Sequence, residues 1–125
     1  MDLIIGGAFQ GKRDFAKRKY HLTNEQVFTC TAQGEPDFSV PCIAGLEEFV
    51  FYCVESGKDA VAIIKAHHAA WENSVLICND IFCGVVPMEA ENRAWREETG
   101  RLCAYLAGEA KEVYRLFCGL EQRLK

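Results

Sequence analysis

Leu3-Ile4-Ile5-Gly6-Gly7-Ala8-Phe9-Gln10-Gly11-Lys12-Arg13 reads as a buried strand running into a glycine-rich turn that opens a helix. Gly6, Gly11 and Lys12 have the spacing G-x-x-x-x-G-K of a phosphate-binding loop. Backbone N–H groups from about Gly7 to Lys12 would converge on an anion, and the helix N-terminus adds partial positive charge. Lys12 would reach the outer phosphates. The alternative is a plain glycine turn with a solvated lysine. The position after Lys12 normally carries Ser or Thr, whose hydroxyl ligates Mg²⁺. Arg13 stands there instead; a guanidinium offers no lone pair, although it can pair with a phosphate.

Working outward, Val27-Phe28-Thr29-Cys30-Thr31 is a second strand by its β-branched and aromatic content. Residues 32–43, with Gly34-Glu35-Pro36-Asp37, form the longest irregular stretch, either a substrate loop or a surface connection. Leu46, Phe49, Val50 and Cys53 repeat at helical spacing and predict a helix over 45–56, stopped by Gly57. Asp59 caps a second helix with Val61, Ile64 and His68 on one stripe. Ser74 to Asp80 is a third strand, an apolar run ending in an acid, and 84–87 is a turn segment. A long helix over 88–109 places Trp95, Leu102 and Leu106 on its core stripe. Gly100, within it, implies a close helix–sheet contact. Val113 to Cys118 is the last strand, closed by Gly119.

Strands alternating with helices predict an α/β fold, a mostly parallel sheet flanked by helices, and one nucleotide-binding domain over 1–125. Ligands gather at the carboxyl ends of such strands. Gly6–Lys12, the loop after Thr31, and Asn79-Asp80 all follow strands and are expected to meet at one edge. Asp80 is the candidate metal-orienting and catalytic acid, with Glu72 the lesser choice and an ordinary turn carboxylate the alternative. Arg93, Arg96 and Arg101 could anchor a phosphorylated ligand, but Glu89, Glu97 and Glu98 at helical spacing favour surface ion pairs. His67-His68 could supply a nucleophile, against packing or plain exposure.

Composition narrows the class. The chain has 125 residues, half of them apolar and 26% charged, enough for one domain with a real core. A net charge of −4 gives no electrostatic case for nucleic acid. No apolar run approaches the ~20 residues that span a bilayer. Met1-Asp2-Leu3-Ile4-Ile5 lacks the basic start of a signal peptide, so the expected compartment is the cytoplasm, with no membrane partner. The seven cysteines contain no C-x-x-C pair and read as reduced, mostly buried thiols, with a Cys78/Cys83 metal pair the remote alternative.

Taken together, these segments resemble the adenosylcobinamide kinase / adenosylcobinamide-phosphate guanylyltransferase family of cobalamin biosynthesis. Ile4-Ile5-Gly6-Gly7-Ala8-x-x-Gly11-Lys12 is similar to that family's T-G-G-A-R-S-G-K-S, and Phe28-Thr29-Cys30-Thr31-Ala32 to its Y-I-A-T-A. The stretch from Asn79-Asp80 to Gly84-Val85-Val86-Pro87 resembles N-E-V-G-x-G-I-V-P, and Arg93 to Leu102 resembles R-x-x-R-[DE]-x-x-G-R-x-N. Cys118-Gly119-Leu120 through Lys125 resembles the closing S-G-[IL]-P-x-x-x-K.

The resemblance implies a P-loop NTPase-like domain that binds the phosphates of ATP or GTP through Gly6, Gly7, Gly11 and Lys12, a corrinoid amino-alcohol as phosphoryl acceptor, and a homo-oligomer. From the loop and the strand ends themselves, Gly6, Gly7, Ala8, Phe9, Gln10, Gly11, Lys12 and Arg13 are the expected nucleotide site, Mg²⁺ the expected companion ion, and Lys12 and Asp80 the expected catalytic residues, Asp80 also as metal ligand. The departures are Arg13 for the loop Ser, Phe9-Gln10 for Arg-Ser, Asp80 for Glu and Phe82 for Gly. No counterpart of the family's V-D-C-L-T strand is recognised. The guanylylated histidine of H-x-x-x-R has no counterpart either, since no arginine follows His67 or His68 at that spacing. Two readings therefore stand: a kinase-like phosphotransferase, and a non-catalytic nucleotide-binding relative with a degenerate loop. A vestigial loop in a structural protein is a third.

Overall fold

The computed structural model describes residues 1–82 and 89–125. The 84–87 turn, and with it Cys83, lies outside the described residues. β1 (Asp2–Gly6) is central, pairing in parallel with β4 (Val75–Asn79) on one side and β5 (Glu112–Phe117) on the other. β3 (Cys42–Ala44) continues the parallel sheet beyond β4, and β2 (Val27–Thr29) beyond β3. β6 (Leu120–Arg123) closes the other edge antiparallel to β5, giving the order β2-β3-β4-β1-β5-β6. The fold is the expected α/β, P-loop-like arrangement of a mostly parallel sheet with helices on both faces.

Alternation along each strand divides the core. Leu3, Ile43, Leu76, Cys78 and Val113 face one layer, built with α2 (Leu46–Ser56), α3 (Ala60–Ala66) and α5 (Ala90–Glu109). Ile4, Cys42, Ile77, Tyr114 and Leu116 face the other, where Phe15 and Ala16 of α1 (Lys12–Tyr20) pack. Chains leaving β1 and β3 therefore depart to opposite faces, and a crevice opens between them at the carboxyl edge.

Two strands escape the sequence reading. β3 occupies the end of the 32–43 stretch: three residues behind Pro41, buried on both faces, with no period to display. β6 is exposed throughout and carries no apolar alternation; it exists because Cys118 (φ 52) and Gly119 (φ 76) make the two left-handed residues of a tight hairpin turn. The Asp59 cap is present, its carboxylate accepting from Ala62 N–H at 3.2 Å. Helix α3 stops at His67, and the short α4 (His68–Trp71) follows. The buried stripe is Ala60, Ile64 and Trp71, while His68 is exposed. Gly100 meets the side chain of Phe82, 3.4 Å from where its Cβ would stand, rather than the sheet.

Cys30, Cys42, Cys53, Cys78 and Cys103 are buried and Cys118 is exposed. Burial pushes the Cys30 thiol up to about 12 and those of Cys42 and Cys53 up to about 11.

Gly6 ends β1 at φ +157, and a Cβ there would stand 2.6 Å from the Leu116 carbonyl oxygen. That oxygen belongs to the sheet backbone and cannot swing away. Gly6→Ala is expected to cost about 1–3 kcal/mol, read as a lower urea midpoint at unchanged slope.

Candidate functional site

The crevice is a cleft of about 560 Å³ lined by Ala8 to Asp14, Ala44, Gly45, Glu47, Ile77 and Asn79. Four strand ends build it. β1 delivers the glycine loop, β3 delivers Gly45 and α2, β4 delivers Asn79-Asp80, and the β5–β6 turn braces the loop from behind. Both helices that open onto the cleft start from a left-handed glycine, Gly11 (φ 90) and Gly45 (φ 72), with no side-chain cap. The first N–H groups of α1 are therefore free of intrahelical partners and point to the cleft end of the helix.

Loop geometry is fixed by backbone bonds. Gly6 O accepts from Asp80 N–H at 3.0 Å, and Gln10 O accepts from Gly119 N–H at 3.0 Å. The Gln10 carboxamide oxygen takes the Cys118 N–H at 2.5 Å. A Cβ on Gly11 would lie 3.4 Å from Gly119 Cα, so the turn and the helix start are in contact. Phe9 stands in the left-handed region (φ 60) with its ring fully exposed, an unfavourable conformation for a bulky residue held by its neighbours.

Lys12 is 8% exposed and donates to the Gly7 carbonyl at 2.5 Å. Burial lowers its pKa below the usual lysine value, and the Glu47 and Asp80 carboxylates oppose that shift. Asp80 Oδ1 lies 3.8 Å from where a Gly7 Cβ would stand, which puts the acid beside the loop. Arg13 is exposed on the cleft wall, where it adds a second cation next to Lys12.

Glu47 is the residue that sequence reasoning missed. It sits in the first turn of α2, 5% exposed, with Oε1 accepting the Asn79 N–H at 2.9 Å and Oε2 3.5 Å from Asn79 Nδ2. Trp95 Nε1 donates to its backbone carbonyl at 2.7 Å and pins that turn. The available signal was an acid just after a strand–glycine junction, Ala44-Gly45-Leu46-Glu47, and it was hidden because β3 was not recognised. β3 and Glu47 thus supply a strand and an acid where the sequence reading found neither.

Other candidates lie elsewhere. Met1 at the amino end of β1 donates to the Glu72 carbonyl at 2.6 Å, so Glu72 belongs to the opposite edge of the sheet. His67 stacks on Phe38 at 4.3 Å, and His68 pairs with Glu72 at 3.7 Å on that same side. The irregular segment before β3 also folds there, since Val40 and Pro41 carbonyls accept from Ser74 and Val75. On α5, Arg101 pairs with Glu97 and Glu98 at 3.6 and 3.7 Å, as its spacing suggested. Arg96 Nε donates to the Phe82 carbonyl at 3.1 Å, two residues beyond Asp80.

A divalent ion held by the loop would need hydroxyl or carboxylate oxygens at the start of α1. Arg13 brings a cation where a hydroxyl ligand would stand, and Glu47 is already occupied by Asn79. Among the described residues no cluster of three His, Cys, Asp or Glu side chains could hold a metal. Arg13 thus replaces the hydroxyl by which such a loop usually holds Mg²⁺. A phosphorylated ligand fits: a glycine loop, an open helix N-terminus and two cations face one cleft.

A family model for cobinamide kinase / cobinamide phosphate guanyltransferase matches residues 44–124. The match begins at the end of β3 and includes Glu47 and Asp80, but not the Gly6–Arg13 loop. No curated protein matches the chain. No described helix is long and apolar enough to cross a membrane.

Removing the Glu47 charge takes away a carboxylate that favours the charged lysine. Glu47→Gln is expected to lower the Lys12 pKa further, followed by NMR of its side-chain ammonium. The lowered pKa also has a sign in stability. Between it and the ordinary lysine value the unfolded chain holds a proton that the folded chain has shed. This group's contribution to stability accordingly rises with pH across that window and is flat below it.

Proposed function

The chain belongs to the cobinamide kinase / cobinamide phosphate guanyltransferase family, and on that premise we propose that it binds ATP or GTP in the Gly6–Arg13 loop and transfers the terminal phosphoryl group to a corrinoid amino-alcohol. The family supports a kinase- or guanyltransferase-like role in cobalamin biosynthesis. The observation that carries the nucleotide reading is Lys12. It is a buried ammonium at the start of a helix, behind a glycine loop, facing a cleft of about 560 Å³.

In this reading the N–H groups of Gly7 to Lys12 cradle the phosphates, with Ala8, Phe9 and Gln10 shaping the loop. Lys12 neutralises charge developing on the transferred group, and Arg13 pairs with a phosphate oxygen. A divalent ion travelling with the nucleotide would supply further charge neutralisation. The acceptor hydroxyl attacks the terminal phosphorus, the nucleoside diphosphate leaves, and the hydroxyl proton passes to Asp80. Glu47 holds Asn79 and, through charge, favours the protonated form of Lys12. Guanylyl transfer through a histidine is not supported, because His67 and His68 lie at the opposite edge of the sheet.

Arg13 favours a second reading, a nucleotide-binding relative without transfer activity. Titration calorimetry with ATP and GTP, with and without Mg²⁺, separates the two when combined with an assay of transfer to adenosylcobinamide. The expected result is wild-type binding that Lys12→Ala weakens at least about tenfold, or about 1.4 kcal/mol. Absence of binding at millimolar nucleotide would overturn both readings. Binding without transfer would leave the second.

A further inference from the structure

α1 packs over β1 and β4, and beside it, toward β5 and β6, lies a second cleft of about 380 Å³. Its lining is Phe15, Arg18 and Lys19 of α1, Tyr114 of β5 and Glu121 of β6. Phe15 and Tyr114 are buried, with ring centroids 5.2 Å apart, and they form an apolar floor. The three charged residues are exposed and stand on the two walls. This cleft shares no lining residue with the glycine-loop cleft.

Most of the charge around this floor is already engaged. Glu112 meets Lys19 at 3.7 Å and Arg123 at 3.3 Å, and it accepts from the Tyr114 hydroxyl at 2.8 Å. Lys19 Nζ also lies 5.0 Å from the centre of the Tyr114 ring. Two groups are left over. Among the described residues, neither the Arg18 guanidinium nor the Glu121 carboxylate has a hydrogen-bond or ion-pair partner. They stand on opposite walls and do not reach each other. In the β5–β6 register Glu121 pairs with Leu116 and Arg123 with Tyr114, so the acid stands toward the carboxyl end of β5. Lys19 is held at the other end, by Glu112. The cleft is therefore polarised, with cations on the α1 wall, a carboxylate on the β6 wall and aromatic rings between them. An apolar floor concentrates the field between such walls.

We propose that this second cleft binds a small zwitterion of the amino-acid class, its carboxylate at Arg18, its ammonium at Glu121 and its apolar body over Phe15 and Tyr114. Lys19 lies on the same wall as Arg18 and strengthens the preference for the carboxylate there. The arrangement also rejects ligands with a single charge. A simple anion gains Arg18 but faces Glu121, and a simple cation gains Glu121 but faces Arg18 and Lys19. The site is separate from the glycine loop, and the proposal is independent of the nucleotide reading.

The test is an NMR titration of the nitrogen-15-labelled chain, without nucleotide, using L-phenylalanine to about 20 mM as the zwitterion. Saturable shifts are expected at the amides of residues 15–19, 114 and 121. Two analogues probe one charge each: N-acetyl-L-phenylalanine keeps only the carboxylate, and 2-phenylethylamine keeps only the ammonium. Each is expected to bind about fivefold more weakly than phenylalanine, the discrimination that one exposed ion pair supplies. Glu121→Gln is expected to erase the preference over the acetylated analogue and to keep the preference over the amine. Arg18→Gln is expected to do the reverse. Both residues are exposed, and unchanged melting shows that each variant keeps its fold. Absence of saturable shifts overturns the proposal, as do shifts confined to other surfaces. So do analogues that bind as well as phenylalanine, or variants that keep both preferences.

Discussion

A buried ammonium is expensive to hold in a protein unless oxygen atoms surround it. Lys12 sets that condition for this fold. Its Nζ meets the Gly7 carbonyl, and the carboxylates of Glu47 and Asp80 act on it from the ends of two further strands. Those acids arrive only if β4 lies beside β1, and β3 beside β4, in register, so that Gly45 and Asn79 come close to the level of Gly6. The parallel pairing Gly6 with Asn79, and Cys42 with Val75, provides that alignment. Sheet order and the charge balance of the cleft are one constraint seen at two scales.

The central architecture was legible because its signals are strong and local. Leu3 to Ile5 and Val75 to Cys78 are continuous apolar runs, as strands covered on both faces must be. The α2 stripe of Leu46, Phe49, Val50 and Cys53 has a clear helical period and is buried as read. β3 was illegible because three buried residues carry no period. Glu47 went unseen with it, since its importance comes from a neighbour 32 positions later in the chain. β6 was illegible for the opposite reason: its residues face solvent, and only the turn geometry of Cys118-Gly119 folds it back. The loop residues were found by spacing alone, but their support by Gln10 and the hairpin turn is a long-range contact that no local pattern announces.

Family membership and loop geometry cover different parts of the chain. The matched region runs from the end of β3 to the tail and contains both acids, while the glycine loop precedes it. The two meet in space at one cleft. Arg13 is the one feature that separates this cleft from a loop built to hold a metal by its hydroxyl. It shifts the balance of charge toward the protein: two side-chain cations stand at the helix start where one cation and a neutral ligand would otherwise be.

Gln10 joins the loop to the β5–β6 turn through its carbonyl and its carboxamide at once. Regions that share such bonds open together rather than separately. The loop's outer wall is therefore tied to the β5–β6 turn, whose outer strand β6 is exposed and has little core contact of its own. Fraying of that hairpin releases the loop's outer wall, and anything that stiffens the hairpin narrows the set of loop shapes. The least buried corner of the molecule thus acts as the tensioner of its most constrained one.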